Sequence, residues 1–467
     1  MTDQNRFVEK CSLREAEDIR TTSEGGFKFA GTIPAPPVEP RIGTGVQSSQ
    51  SSNPRVERLA RNRNGHLQMT QFAAGLSTSP KTLTTLSEVC HEVNKQLGGT
   101  PPDLVMVFFS HDHLSAADSI ASEIRKLTGA KSIIGCTGES IVGNGLEIEM
   151  QPALSVWAAV LPGVEVETYS VQWESTPDGP VSTGMPEARI GGDATLRAIF
   201  FLGDGFTCAI DSLLQYISEE FPGVPLLGGM ASGARQPGTN ALLVNQQVFR
   251  EGGVGVLIRG GNRIDYVISQ GCRPIGETYV VTKADDNVIY EIAGKPALPT
   301  FGELYAGLSG DDQALARQGL HVGIAIDEYK SEFQPGDFLI ANVMGVDQQI
   351  GAMAITSPIK PGQTIQFHLR DAQTADEELI HLLQKRIERN SYASALLFSC
   401  NGRGTRLFPV KNHDAKAIRT IAGEIPLAGF FAQGELGPVG AKNFIHGYTA
   451  SVVLFAGSKS PPADSPS

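Results

Sequence analysis

Short apolar runs separated by turn signals fill most of this chain, and long amphipathic stripes are few. From residue 69 the first pattern is "MTQFAAGLSTSPKTLTTLSEVCHEVNKQL". It predicts a strand, a break at "STSP", and an amphipathic helix with Leu83, Leu86, Val89 and Val93 on one side. "DLVMVFFSHDHLSAADSIASEIRKL" then reads as a buried strand, a polar turn and a helix. The same order returns in "TLRAIFFLGDGFTCAIDSLLQYISEEF" and, more loosely, in "YASALLFSCNGRGTRLFPVKNHDAKAIRTI". Each copy runs on into a glycine phrase: "SIIGCTGESIVGNG", "PLLGGMASGARQPG" and "PLAGFFAQGELGPVG". This spacing predicts a triplicated unit. "LSVWAAVLPGVEVETYSVQ" and "VGVLIRGGNRIDYVISQ" follow the first two copies and read as hairpins, while the third ends in "NFIHGYTASVVLFAG".

Between the second and third copies, "HVGIAIDEY", "GDFLIANVMGVD", "QQIGAMAI" and "GQTIQFHLRD" predict short strands, leading into the helix "TADEELIHLLQKRIERN". The expected fold is α+β: mixed, largely antiparallel sheets covered by helices, built from repeated strand-helix-strand-hairpin units in two packed domains, 69–299 and 300–455. Residues 1–68 are rich in Pro, Ser, Gly and Gln and are expected to be disordered, or to precede a true start at Met69. The tail 456–467 is expected to be disordered as well.

Composition narrows the function. The net charge of -12 comes without a basic block, which argues against a nucleic-acid partner. The six cysteines form no CxxC pair, as expected of a reducing cytoplasm rather than a zinc or disulfide framework. The longest apolar runs are too short to cross a membrane, so the expectation is a cytoplasmic protein.

The turn after each first strand carries a short polar residue, aligned by sequence as Asp112, Asp204 and Asn401. Such residues cap helices, or stand where helix N-terminal amides favour an anion. In "CNGRGTRLF" the glycines Gly402 and Gly404 permit close backbone approach, and Arg403 or Arg406 offers a fork for a carboxylate or phosphate. Gly135, Gly228 and Gly429 read as closing a strand in each copy, with Gly138, Gly233 and Gly434 following. A fixed scaffold with varied loop contents is what a set of tips around a shared hollow would need. Enzyme chemistry has thinner support. Cys400 with His446 offers a thiol-imidazole pair and His111 with His113 a metal spacing, but no nucleotide loop or GxSxG elbow is present.

At "CTGESIVGNGLEIE", "LGDG", "LLGGMASG", "IKPGQTIQFHLRDA" and above all "FSCNGRG…PLAGFFAQGELGPVG…NFIHGYTAS", the chain resembles the FIST family, an N-terminal FIST domain followed by a FIST C domain. The resemblance runs from about Met69 to Phe455. It implies a sensory module for small ligands such as amino acids, working through a separate signalling protein; the alternative is a protein-interaction adaptor without a ligand. Some bacterial members are associated with haem, for which His446 or His321 would be the ligand here; no cofactor or metal is otherwise expected. Some eukaryotic relatives carry an F-box, whose leucine-rich pattern residues 1–68 do not show. Asn401, Arg403, Gly404, Gly429, Phe430, Gly434, Glu435, Gly437, Pro438 and His446 match the C-terminal signature, and Cys136, Gly138 and Glu139 the N-terminal one. The expected ligand site comprises Asn401, Arg403, Gly404, Phe430, Gly434, Glu435, His446, Cys136, Glu139, Asp112 and Asp204. In it Arg403 and loop amides hold an anionic group and Glu435 a cationic one, without catalysis.

Overall fold

Leu104–Ser110 and Ser132–Gly138 run side by side in parallel, with Val107 opposite Gly135. Leu196–Asp204 and Leu226–Ala231 repeat the arrangement with Phe201 opposite Gly228, and Tyr392–Cys400 and Leu427–Ala432 with Leu397 opposite Gly429. These registers come from a computed structural model that describes residues 69–457 except 178, 190, 191, 262, 331, 334 and 335. The expectations for 1–68, and for the tail beyond 457, lie outside the described residues.

The three glycines sit inside their strands, not at the ends. A Cβ at Gly135, Gly228 or Gly429 would lie 2.3, 2.1 or 1.8 Å from the carbonyl oxygen of Val107, Phe201 or Leu397. Gly228 and Gly429 also hold φ at 127° and 157°, which a side chain would resist. The bare backbone therefore accommodates the neighbouring parallel strand.

Each parallel pair is the centre of its own sheet, flanked on the first-strand side by Leu154–Val160, Gly253–Arg259 or Ala450–Ala456 in antiparallel register. The other side is filled by exchange. The hairpin Ser140–Gly143/Leu146–Glu149 leaves the first copy and pairs with Leu427–Ala432 of the third. Glu435–Val439/Lys442–His446 leaves the third and pairs with the second, and Leu242–Val244/Gln247–Phe249 leaves the second and pairs with the first. The ring of donations closes on itself. The two expected hairpins are corrected here. Glu165–Thr176 and Ile264–Ser269 pair with Gly253–Arg259 and Ala450–Ala456, so each joins the next sheet instead of folding back. Alternating hydrophobicity is the same in both cases, since it records burial and not the partner.

Strand alternation sorts two cores. Met106, Phe108, Phe200, Leu202, Leu396 and Phe398 face one common interior. Phe108 stacks on Phe430 at 5.2 Å, and Trp157 meets Phe455 at 4.7 Å. The space enclosed by the three sheets is thus a packed apolar core. The opposite faces are covered by helices: Thr82–Gln96 and Ala117–Thr128 on the first sheet, Ile210–Glu220 on the second, Ala372–Ile387 and His413–Ala422 on the third. Leu86, Val89, Cys90 and Val93 are buried as that helix requires, whereas Leu83 in its first turn is exposed.

The third copy carries an insertion between Ile264–Ser269 and Ala372–Ile387. Its strands Cys272–Asp285, Thr364–Arg370, Leu320–Ala325, Phe338–Asp347, Ala352–Ile355 and Val288–Ile292 pair in that order, and the last returns to the first. They form a closed antiparallel barrel with strands contributed from both sides of residue 300. Among the described residues no helix is long and apolar enough to cross a membrane.

Candidate functional site

The registers align the copies residue by residue. Counting three positions on from Val107, Phe201 and Leu397 places Ser110, Asp204 and Cys400 at equivalent strand ends. The sequence alignment of Asp204 with Asp112 and Asn401 is therefore out of step. Asp204 is buried and ties its own turn, accepting from Thr207 Oγ1 (2.8 Å) and Asn240 Nδ2 (2.7 Å). Asp112 is exposed and accepts from Ser110 Oγ at 2.9 Å.

In the third copy the strand end opens into the loop 401–408, whose anion-binding groups face carboxylates of the same chain. Arg403 is fully buried and gives Nε and Nη2 to Asp414 at 2.7 and 2.8 Å. Burial opposes the charge on Asp414, but the Arg403 guanidinium holds its carboxyl well below the usual range. Thr405 donates its amide (3.0 Å) and hydroxyl (2.5 Å) to Glu149, and Arg406 grips Glu139 at 2.8 and 2.9 Å. Gly404, at φ 60°, would meet the Glu149 carboxyl if it bore a Cβ. Glu149 ends the hairpin donated by the first copy and Glu139 immediately precedes it, so this loop fastens the exchange.

Behind the loop lies a polar cluster with unspent hydrogen-bonding capacity. Glu435 is fully buried; its Oε2 accepts from the Thr449 amide at 3.1 Å, and its Oε1 has no partner. Burial raises its pKa well above the carboxylate range, against the opposing pull of the Cys400 thiol hydrogen bond and of Arg403 and Arg370. Cys400 is pushed up to about 12 by burial and by the Glu435 charge, so it is a thiol at neutral pH.

Arg370, the last residue of a barrel strand, crosses to the body. Its Nη2 donates to the Gly402 carbonyl at 2.7 Å and its guanidinium lies 4.1 Å from the Tyr448 ring centroid. Its Nε is buried without a partner. Tyr448 holds φ at 61°, a strained value for an aromatic residue. Its other neighbour is His321, edge-on at 5.1 Å, whose Nδ1 also lacks a partner and whose pKa burial lowers to about 4. The Asn401 Oδ1, beside Cys400 in the chain, is likewise buried and unpaired. Arg370, Asn401, Gly402 and Tyr448 are half-buried and border solvent, while Cys400, Glu435 and His321 are buried.

The remaining expected residues lie within the scaffold, and His446 Nδ1 is likewise buried without a partner. Phe430 and Cys136 belong to the central core. The Gly434 carbonyl accepts from the Met230 amide at 2.8 Å. His446 stands opposite Glu435 in the hairpin, but its ring bonds the Gly437 carbonyl at 3.0 Å, and burial lowers its pKa to about 4. His113 is buried against Thr82 (2.9 Å) while His111 is exposed. No group of three metal-ligating side chains occurs among the described residues. Arg370 and Tyr448 were missed as site residues, although both lie in the quoted motifs "FHLRDA" and "HGYTAS".

Two family models match this chain in succession, meeting within the inserted barrel. The FIST N domain matches residues 103–295 and the FIST C domain residues 297–438. An uncharacterised protein of Mycobacterium tuberculosis is 36% identical over 387 residues, 82% of this chain and 99% of that protein. One of Mycobacterium bovis is 37% identical over 387 residues, with 82% and 98% covered. FIST domains are generally taken as small-ligand-binding sensory domains in signalling. With both domains in order and relatives aligned over nearly their whole length, this chain belongs to the FIST family.

Proposed function

We propose that the chain is a non-enzymatic, cytoplasmic sensory protein that binds a small metabolite, an amino acid or a compound of similar size, and signals through a separate protein. The ligand site in this reading is the cluster of Arg370, Asn401, Cys400, Glu435, Tyr448 and His321. One observation carries it: Arg370 and His321, each with a buried unpaired nitrogen, flank one strained tyrosine, and Asn401 Oδ1 and Glu435 Oε1 at the adjoining strand ends are buried and unpaired as well. Unpaired buried polar atoms each cost about 1–3 kcal/mol, so a ligand that satisfies them gains what the empty site forgoes. The protonated Cys400 favours binding over thiolate chemistry.

The test is thermal unfolding of the full chain against a panel of amino acids and other small metabolites. At a concentration about 100 times Kd, a true ligand stabilises the folded state by about 2.7 kcal/mol. A panel in which no compound moves the transition, or in which Tyr448→Ala responds as the parent does, defeats the reading.

A further inference from the structure

Resting on that reading, we propose that Arg370 is the receptor for the ligand's carboxylate, and that the bound ligand ties the inserted barrel to the third repeat. The two buried arginines, Arg403 and Arg259, are neutralised within the chain, as are the more exposed Arg406 and Arg273; Arg125 also has a buried unpaired Nε and donates Nη2 to Asn245 at 3.1 Å. Arg403 is held by Asp414 at 2.7 Å, Arg406 by Glu139 at 2.8 Å, Arg259 by Asp193 and Glu167 at 2.5 Å each, and Arg273 by Asp312 and, at 3.0 Å, Asp371. Among the described residues no carboxylate lies within ion-pair distance of Arg370; its partners are the Gly402 carbonyl and the face of Tyr448. A buried guanidinium without a counter-charge is costly, and burial accordingly lowers its pKa.

The Arg370 Nε is buried and its hydrogen-bond donor is unspent. One uncompensated cation matches one negative charge, and a planar fork matches a planar acceptor. A phosphate dianion would need a second cation, and Arg403 is fully engaged by Asp414. The ligand is therefore a carboxylate monoanion. Its other end has the Asn401 Oδ1 acceptor to meet, so it carries a hydrogen-bond donor.

The two sides of the site belong to different parts of the molecule. Arg370 and His321 are on barrel strands, while Cys400, Asn401, Gly402, Glu435 and Tyr448 are on the repeat body. Nearby, the Asn342 Nδ2 of the barrel would lie 3.8 Å from a Cβ on Gly447 of the body. A molecule bound at Arg370 thus bridges the seam, and occupancy becomes a change in how firmly the barrel is held.

Sodium acetate serves as the probe, with inorganic phosphate and chloride at matched ionic strength, on the full-length parent, Arg370→Lys and Arg370→Gln. Acetate is expected to raise the parent's melting temperature saturably and more than phosphate does. Its apparent affinity should fall at least tenfold in Arg370→Lys and the response should vanish in Arg370→Gln. Hydrogen exchange on the parent alone, which needs no variant to fold, should show acetate slowing exchange in 364–370 and 446–449 together. An equal acetate response in parent and variants, a larger response to phosphate, or protection confined to one side of the seam overturns the proposal. If a neutral metabolite stabilises the parent but not Tyr448→Ala while acetate does nothing, the site stands and the carboxylate assignment falls. If nothing of any charge binds, both fall.

Discussion

Apart from the barrel inserted into it, the third copy differs from the first two chiefly where its strands end. Each copy keeps a glycine crowded against a neighbouring carbonyl: Gly135, Gly228 and Gly429. One residue further along each of those strands, the partner on the donated hairpin is Leu242, Glu435 or Ile141. Two copies receive an aliphatic side chain there; the hairpin from the third supplies a buried carboxyl. At the strand end Ser110 and Asp204 become Cys400. The amides of those three residues bond the carbonyls of Ala153, Gly252 and Thr449, so Tyr448 takes the place of Pro152 and Glu251. Positions that are alike in all copies answer to packing, and positions that differ in one copy are where ligand chemistry belongs.

The largest effect expected from breaking this comparison is on the Arg403–Asp414 pair, which neither sibling has. Asp414→Ala leaves a buried guanidinium uncompensated and should cost about 3–5 kcal/mol in urea unfolding. At the equivalent places His113→Ala and Thr207→Ala should each cost about 1–2 kcal/mol. A comparable loss at all three would make the pair ordinary scaffold. Next come the glycines, which should behave alike. Gly228→Ala and Gly429→Ala should each cost about 2–4 kcal/mol, because backbone must move to admit the Cβ. Loss at one and indifference at the other would show that the copies do not share this constraint.

How far sequence reasoning reached follows the same division. The strand-helix-strand repeat was legible because burial writes periodicity into the chain, and "DLVMVFF", "RAIFFLG" and "SALLFSC" carry it openly. Pairing partners were not, since Ser140–Gly143 looks the same whether it returns to its own sheet or joins another. Sequence patterns put Cys400 after an apolar strand and Glu435 on a loop, whereas Cys400 ends its strand and Glu435 begins another. That Arg403 would turn inward to Asp414, and that Arg370 would arrive from an insertion 30 residues earlier in sequence, depends on tertiary contacts no local pattern records.

A smaller effect, opposite in sign, concerns Glu435. Its folded-state pKa lies above the unfolded one, so the folded chain keeps a proton that the unfolded chain releases. Stability tied to this group is whole in acid, below the unfolded carboxylate pKa, and is lost as pH rises toward and through the folded pKa. Glu435→Leu, which restores the residue its siblings receive, should gain about 1–2 kcal/mol at pH 8 and flatten that slope. Urea melts from pH 4 to 9 would show it, and a steeper slope in the variant would refute the assignment.

The smallest effect tests the donated hairpin. Glu147, whose Oε1 accepts from the Ala415 amide at 2.8 Å, is raised to about 8 by burial and by the charge on Asp414. Its contribution is present below the ordinary carboxylate range and fades as pH climbs through about 8. Glu147→Gln should therefore raise the melting temperature at pH 8 by about 2 °C and leave it unchanged near pH 4. A drop at pH 8 would mean that the charged form is what holds the hairpin.

The most direct measurement is a pair of thermal melts at pH 7.5, parent beside Glu435→Leu, each with and without the metabolite that best stabilises the parent. The account expects the variant to melt higher than the parent when empty and to gain nothing from the compound. A variant that melts lower when empty, or that gains as much as the parent does, would show that Glu435 supports the fold and that the ligand binds elsewhere.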